Sequence, residues 1–171
     1  MQILRLDGIG QWRNSEIVAR YRRWCMRLGL RPAELVASSG DMAERGWANA
    51  IIGPIVPLIA AGDEAAAWIG IEMIEEDGGF AFGRLLKARC ARELRRTPLN
   101  EKQKHHIRRR VVAMLERGFL PHEFRQYSRL ARRVGIGPVA DRLEVLRGHA
   151  NPWVGWYVTY LLDGHPGQKP A

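Results

Sequence analysis

Guanidinium groups are the most abundant chemistry in this chain, and they are concentrated. Between Arg84 and Arg133 sixteen Lys/Arg stand against four acids, a net of +12, while the whole chain carries only +9 and the remainder therefore sums to −3. Thirteen of the sixteen are Arg, whose planar fork holds a phosphate through two parallel hydrogen bonds and stacks on flat rings. Charge gathered regionally in this way predicts an acidic partner, with nucleic acid first. The residues expected to meet it are Arg84, Arg89, Arg92, Arg95, Arg96, Lys102, Arg109, Arg110, Arg117, Arg125, Arg129, Arg132 and Arg133, with Arg23 and Arg27 as an extension. The plainer alternative is a set of solvated helix faces, partly neutralised by segment 41–77, which holds eight acids against Arg45.

A second group could act through its rings. Trp153, Trp156, Tyr157 and Tyr160 fall on one arc of a C-terminal helix, where they would stack on bases, anchor a protein partner or simply dock the helix. Glu72, Glu75, Glu76 and Asp77 could bind a hard cation or act as acid and base, an exposed acidic turn being the ordinary reading. His105 and His106 are sequence neighbours, so on a helix they point about 100° apart and cannot chelate one ion together. The chain has no G-x-S-x-G, no Cys/His nucleophile pairing and no phosphate-cradling loop. Gly8-Ile-Gly10 and Gly135-Ile-Gly137 lack the strand context of a dinucleotide fingerprint. No catalytic residue, metal or cofactor is therefore expected.

The elements that must hold these side chains read as helices throughout, because apolar residues recur at three and four positions and nowhere alternate for long. Ile17, Tyr21, Trp24, Cys25 and Leu28 mark one helix face that ends at Gly29, with Arg20, Arg23 and Arg27 expected on the other side. Pro32 is expected to open a short helix, and Ser38 to Asp41 to form a turn before a nearly all-apolar, central helix from Met42 to Ala61, kinked or split near Pro54. Glu64 to Asp77 is the next helix, with Trp68, Ile71 and Ile74 inward. Its acidic last turn opposes the helix dipole and calls for a basic neighbour, expected just beyond Gly78-Gly79. Helices then follow over about 80–96, 101–117, 121–134 and 138–147, with a last one from Trp153 to Leu162 capped by Asn151-Pro152.

Tyr21, Arg23, Arg27, Leu28, Gly29, Leu30 and Pro32 recur at equal spacing as Tyr127, Arg129, Arg133, Val134, Gly135, Ile136 and Pro138. A looser echo sets Gly53-Pro54 and Trp68-Ile-Gly70 beside Gly137-Pro138 and Trp153-Val-Gly155. Either echo would suit a short stack of helical hairpins. The run from Gly53 to Gly70, with Pro54, Pro57, the Gly62-Asp63 turn and an Ala-rich second helix, resembles a HEAT-type α-helical repeat unit. Ala65-Ala66 departs from it where that pattern places Val-Arg. The resemblance implies an α-solenoid architecture, whose members mostly bind proteins or nucleic acids and include DNA-base glycosylases.

The bulk numbers fit this reading. At 171 residues with 46% apolar content and six Trp, the chain suits one all-α domain of about eight helices over residues 1–164, a bundle or short HEAT-like solenoid, with a flexible tail over 165–171. No secretory signal is legible at Met1, and the most apolar run, Trp47 to Gly62, is too short and too broken by Pro to span a bilayer. Cys25 and Cys90 sit among apolar helical positions, as free buried thiols in a reducing cytoplasm do, one disulfide being the alternative. The expected function is sequence-tolerant binding of DNA or RNA by a cytoplasmic helical protein. An adaptor for an acidic protein surface is the second reading, and a helical-repeat enzyme acting on nucleic acid, with an acid from Glu72 to Asp77, the third.

Overall fold

Helical periodicity in the sequence becomes helix almost everywhere the chain is described. The computed structural model describes residues 12, 14–35, 52–77, 84–165 and 170. Within these lie eight α-helices and no strand: α1 (Asn14–Leu28), α2 (Ile52–Ala60), α3 (Glu64–Glu75), α4 (Arg84–Leu94), α5 (Glu101–Glu116), α6 (Phe124–Val134), α7 (Ala140–Val145) and α8 (Pro152–Asp163), with 3-10 turns at Gly137–Val139 and Leu146–Gly148. They gather into two compact units, one ending at Thr97 and one beginning at Pro98. The turn expected at Ser38 to Asp41, the helix from Met42 as far as residue 51, and residues 78–83 lie outside the described residues, as does most of the expected tail.

In the first unit α3 is the centre, and α1, α2 and α4 all pack on it. Nine of its twelve residues are buried and only Glu64, Glu72 and Glu75 are not, the mark of a core helix. Trp68, Ile69, Ile71, Met73 and Ile74 leave water almost completely, each contributing about 1.5–3 kcal/mol. The central place expected for the apolar run ending at Ala61 thus falls to the next helix, while α2 turns Pro57 and Ala60 to solvent. The α2–α3 hairpin closes through Gly62, at φ +85, and Asp63, whose Oδ1 accepts the Ala66 amide 2.8 Å away as the N-cap of α3. The other Asp63 oxygen receives the Tyr21 hydroxyl at 2.8 Å, and that hydroxyl accepts the Ala33 amide at 3.2 Å. Residues 31–35 are accordingly not helical. Pro32 opens no helix within these residues, and the Ala33 amide ties the segment to α1 through the Tyr21 hydroxyl.

The acidic end of α3 is neutralised from two directions. Beyond Gly78-Gly79 in the sequence, as expected, Lys87 of α4 places Nζ 2.8 Å from Asp77 Oδ1, both side chains only 1% exposed. The second cation comes from α1, where Arg20 was expected on an outer face. Its Nη1 lies 2.7 Å from Glu76 Oε1 and 3.2 Å from Glu72 Oε2, while Nη2 lies 3.1 Å from Glu76 Oε2. Burial pulls the Arg20 pKa down, but Glu76 and then Glu72 more than offset this and hold it above its ordinary value. Trp24 Nε1 donates to Glu72 Oε1 at 2.8 Å, its ring stacks on Trp68 at 4.4 Å, and Trp12 lies 4.4 Å under the Arg20 guanidinium. The exposed acidic turn of the sequence reading is therefore corrected: Asp77 is buried, and Glu72 and Glu76 are bound to Arg20.

The second unit is built around α5, α6 and α8. Asn100 and Gln103 form a capping box at the start of α5, and Ile107, Val111, Val112, Met114 and Leu115 point inward. On α6, Phe124, Tyr127, Leu130, Ala131 and Val134 are buried as their spacing predicts. Cys25 and Cys90, both in the first unit, are free and buried. Burial pushes both thiols up, Cys90 to about 12.

Removing one partner of a buried ion pair strands the other charge away from water. Lys87→Met should therefore lower unfolding stability by about 3–5 kcal/mol, while Arg84→Met, exposed on the same helix, stays within about 0.5 kcal/mol of wild type. Urea denaturation followed by circular dichroism checks both, and equal midpoints would show that the pair adds nothing.

Candidate functional site

A helix of apolar residues at every third and fourth place leaves its remaining faces to charge, and on α6 these faces are Arg. Arg125, Arg129 and Arg133 follow at i, i+4 and i+8 and so form one row along the helix. Arg125 and Arg133 are exposed and Arg129 is half-buried. None of the three guanidinium groups makes an ion pair with a described residue.

Beside this row lies α8. Asn151 caps it by accepting the Trp153 amide at 3.0 Å, with Pro152 in the first turn. The helix buries Val154, Val158 and Leu161, which turns Trp153, Trp156, Tyr157 and Tyr160 onto the neighbouring arc, each half-buried. The rings meet edge to face: Trp153 and Trp156 at 5.8 Å, Trp156 and Tyr157 at 4.9 Å, and Tyr157 with Phe124 of α6 at 4.7 Å. Such pairs hold rings in fixed orientation. Burial raises the Tyr157 hydroxyl above its ordinary pKa, while the positive charges of Arg125 and Arg129 pull it the other way. The row of guanidinium groups and the row of rings, read separately from the sequence, thus adjoin within one unit.

Arg132 joins them structurally. Its Nη1 donates to the carbonyls of Tyr160, at 3.2 Å, and Gly164, and its guanidinium lies 5.2 Å over the Tyr160 ring. Gly164 ends α8 in the left-handed region at φ +90, and any Cβ there would strike Arg132 Nη2 at 2.4 Å. Arg132, expected among the partner-facing residues, has its guanidinium engaged in closing α8.

Arg108 was not singled out in the sequence and is the most deeply engaged arginine of this unit. It is 8% exposed, with Nε 2.6 Å from the Gly135 carbonyl and Nη2 2.8 Å from the Val134 carbonyl. It therefore closes the C-terminus of α6, where Gly135 carries φ +83 but an extended ψ of 127, not the left-handed cap its sequence suggests. A signal existed: Arg108 stands three before Val111 and seven before Leu115, on the apolar arc.

The other expected residues are placed as follows. On α5 and its end, Lys102, Arg109 and Arg117 are exposed and Arg110 half-buried, while His105 and His106 stand at 89° to one another. In the first unit Arg84, Arg89 and Arg96 are exposed and Arg92 and Arg95 half-buried. Arg96 pairs with Glu93 at 3.4 Å, and Arg92 Nε donates to the Ala88 carbonyl. Arg23 is exposed, and Arg27 lies 5.2 Å over the Trp24 ring. Among the described residues no cluster of His, Cys, Asp or Glu could hold a metal ion, and no helix is long and apolar enough to cross a membrane.

Comparison of the chain with known protein families, with curated proteins and with solved structures finds no match.

Losing hydrogen bonds from a charged donor to buried carbonyls costs roughly 1.5–3 kcal/mol, so Arg108→Met should lower the stability of the chain by that amount. Arg108→Lys, which keeps the charge and loses the fork, should rescue only part. Thermal melts of the two variants decide this, and full rescue by Lys would show that charge alone matters there.

Proposed function

We propose that this chain binds nucleic acid, tolerant of sequence, through the face that α6 and α8 share. One observation carries the reading: α6 meets the half-buried rings of α8 at the Phe124–Tyr157 contact, and Arg125 and Arg129 of its unpaired row act on Tyr157 there, with Arg133 continuing the row along α6, all in a single compact unit. Guanidinium groups supply phosphate contacts, which position without reading sequence, and rings supply stacking, which every base accepts. The exposed Arg and Lys of α5 and, in the first unit, of α4 and α1 belong to the same proposal as further phosphate contacts. A cytoplasmic setting is part of it too, supported by two cysteines that remain free thiols. The helical-repeat resemblance is supported by the α2–α3 hairpin with its Gly62-Asp63 turn. Three of the four acids that an enzyme reading would use, Glu72, Glu76 and Asp77, are bound to Arg20 and Lys87, which favours binding over catalysis.

Each phosphate neutralised releases counterions, so log affinity should fall linearly with log salt. Replacing Arg125, Arg129 and Arg133 together by Ala should weaken binding of labelled oligonucleotides and reduce that slope by roughly 2–3. Arg142→Ala, whose guanidinium is already paired with Glu116 at 2.7 Å, should leave the slope unchanged. Fluorescence anisotropy across a salt series measures both. Failure of wild type to bind any oligonucleotide at low salt, or equal binding to polyglutamate, would sink the reading.

A further inference from the structure

We infer that the α6–α8 face is built for single strands, with α6 tracking phosphates and α8 stacking on unpaired bases. This rests on the nucleic-acid reading above and deepens it.

Charge is divided unevenly between the two helices. α6 carries Arg125, Arg129, Arg132 and Arg133, whereas α8, from Pro152 to Asp163, carries no Lys or Arg at all. The one ionic side chain of α8, Asp163, is paired with Arg147 at 2.8 Å. A surface meant for a duplex backbone gains nothing from a ring-bearing helix without a cation, because the faces of paired bases are already stacked on one another. Rings can be used only by bases that have left the stack. The half-buried arc of α8 formed by Trp153, Trp156, Tyr157 and Tyr160 also carries no amide or carboxylate side chain to read a base edge. From Trp153 to Tyr160 the row extends about 10 Å along the helix, a length that suits two or three unstacked bases, the number that aromatic platforms commonly take.

The spacing of the two tracks is fixed before any ligand arrives. Arg132 ties α6 to the end of α8 through the Tyr160 and Gly164 carbonyls, and Phe124 meets Tyr157 edge to face at 4.7 Å. Rings held in place in the free protein lose little entropy on binding. Phosphates on the Arg row and bases on the ring row then require a backbone lying along α6 with its bases turned toward α8.

The test uses the full chain and four labelled ligands of equal length: a DNA strand, an RNA strand, the DNA strand annealed to its complement, and an abasic DNA strand. Anisotropy should show both base-carrying strands bound about tenfold or more tighter than the duplex and the abasic strand, since one stacked base is worth roughly that factor. Trp156→Leu with Tyr157→Leu should bring the strands down to the abasic level and leave duplex affinity unchanged. If that variant fails to fold, wild-type tryptophan emission supplies the second measurement, quenched at saturation by base-carrying strands and not by the abasic one. Equal binding of all four ligands with a steep salt slope, or unchanged emission, would overturn the stacking role while the phosphate reading stood. Absence of binding to all four would overturn both, and preference for polyglutamate would do so in favour of an acidic protein partner.

Discussion

Every helix ends in carbonyls without amide partners and in the negative pole of its dipole, and in this chain cationic side chains answer that need again and again. Arg108 takes the Val134 and Gly135 carbonyls at the end of α6. Arg132 takes those of Tyr160 and Gly164 at the end of α8. Arg20 and Lys87 neutralise the acids that gather at the end of α3. In each case the cation comes from a different helix, so closing an end also fixes how two helices lie together. The helix ends thus double as the joints of each unit.

This division of labour separates two populations among residues of one chemical type. Arginines drawn to a helix end are engaged by carbonyls or carboxylates and shape the fold. Those left over, among them Arg125, Arg129 and Arg133, stand in a row and make no ion pair with a described residue. A uniformly basic composition would hide the difference, and the hydrogen-bond partners of each guanidinium reveal it. The side chains of α8 divide in the same way: Val154, Val158 and Leu161 are buried in seating the helix, while the neighbouring aromatic arc is only half-buried.

Sequence periodicity was enough to find the helices and most of their inward faces, because a face is a local property set by steps of about 100°. Ile107, Val111, Met114 and Leu115 on α5, and the five buried residues of α6, fall where their spacing puts them. The boundaries at Gly29, Gly62 and Gly135 were legible for the same reason, each glycine adopting a positive φ. What periodicity missed is consistent: Arg20, Lys87 and Arg108 sit on apolar arcs, and their charge led to an outward assignment for Arg20 and silence about the other two. Long aliphatic stems let such residues enter a core when a partner waits at the far end, and the partner lies on another helix. The adjacency of the α6 row and the α8 rings is likewise tertiary, since two amphipathic helices far apart in sequence can face each other in many ways. The non-helical segment after Pro32 was likewise not legible, its tie to α1 being the tertiary bond from the Ala33 amide to the Tyr21 hydroxyl.

The two cysteines carry a consequence of another kind. Oxidation of a thiol begins with its thiolate and requires that an oxidant reach the sulfur. Cys25 and Cys90 are each about 1% exposed, and burial keeps both protonated. Neither can form a sulfenate or a mixed disulfide without the first unit opening. These two thiols are therefore sheltered from peroxide and glutathione for as long as the first unit stays closed.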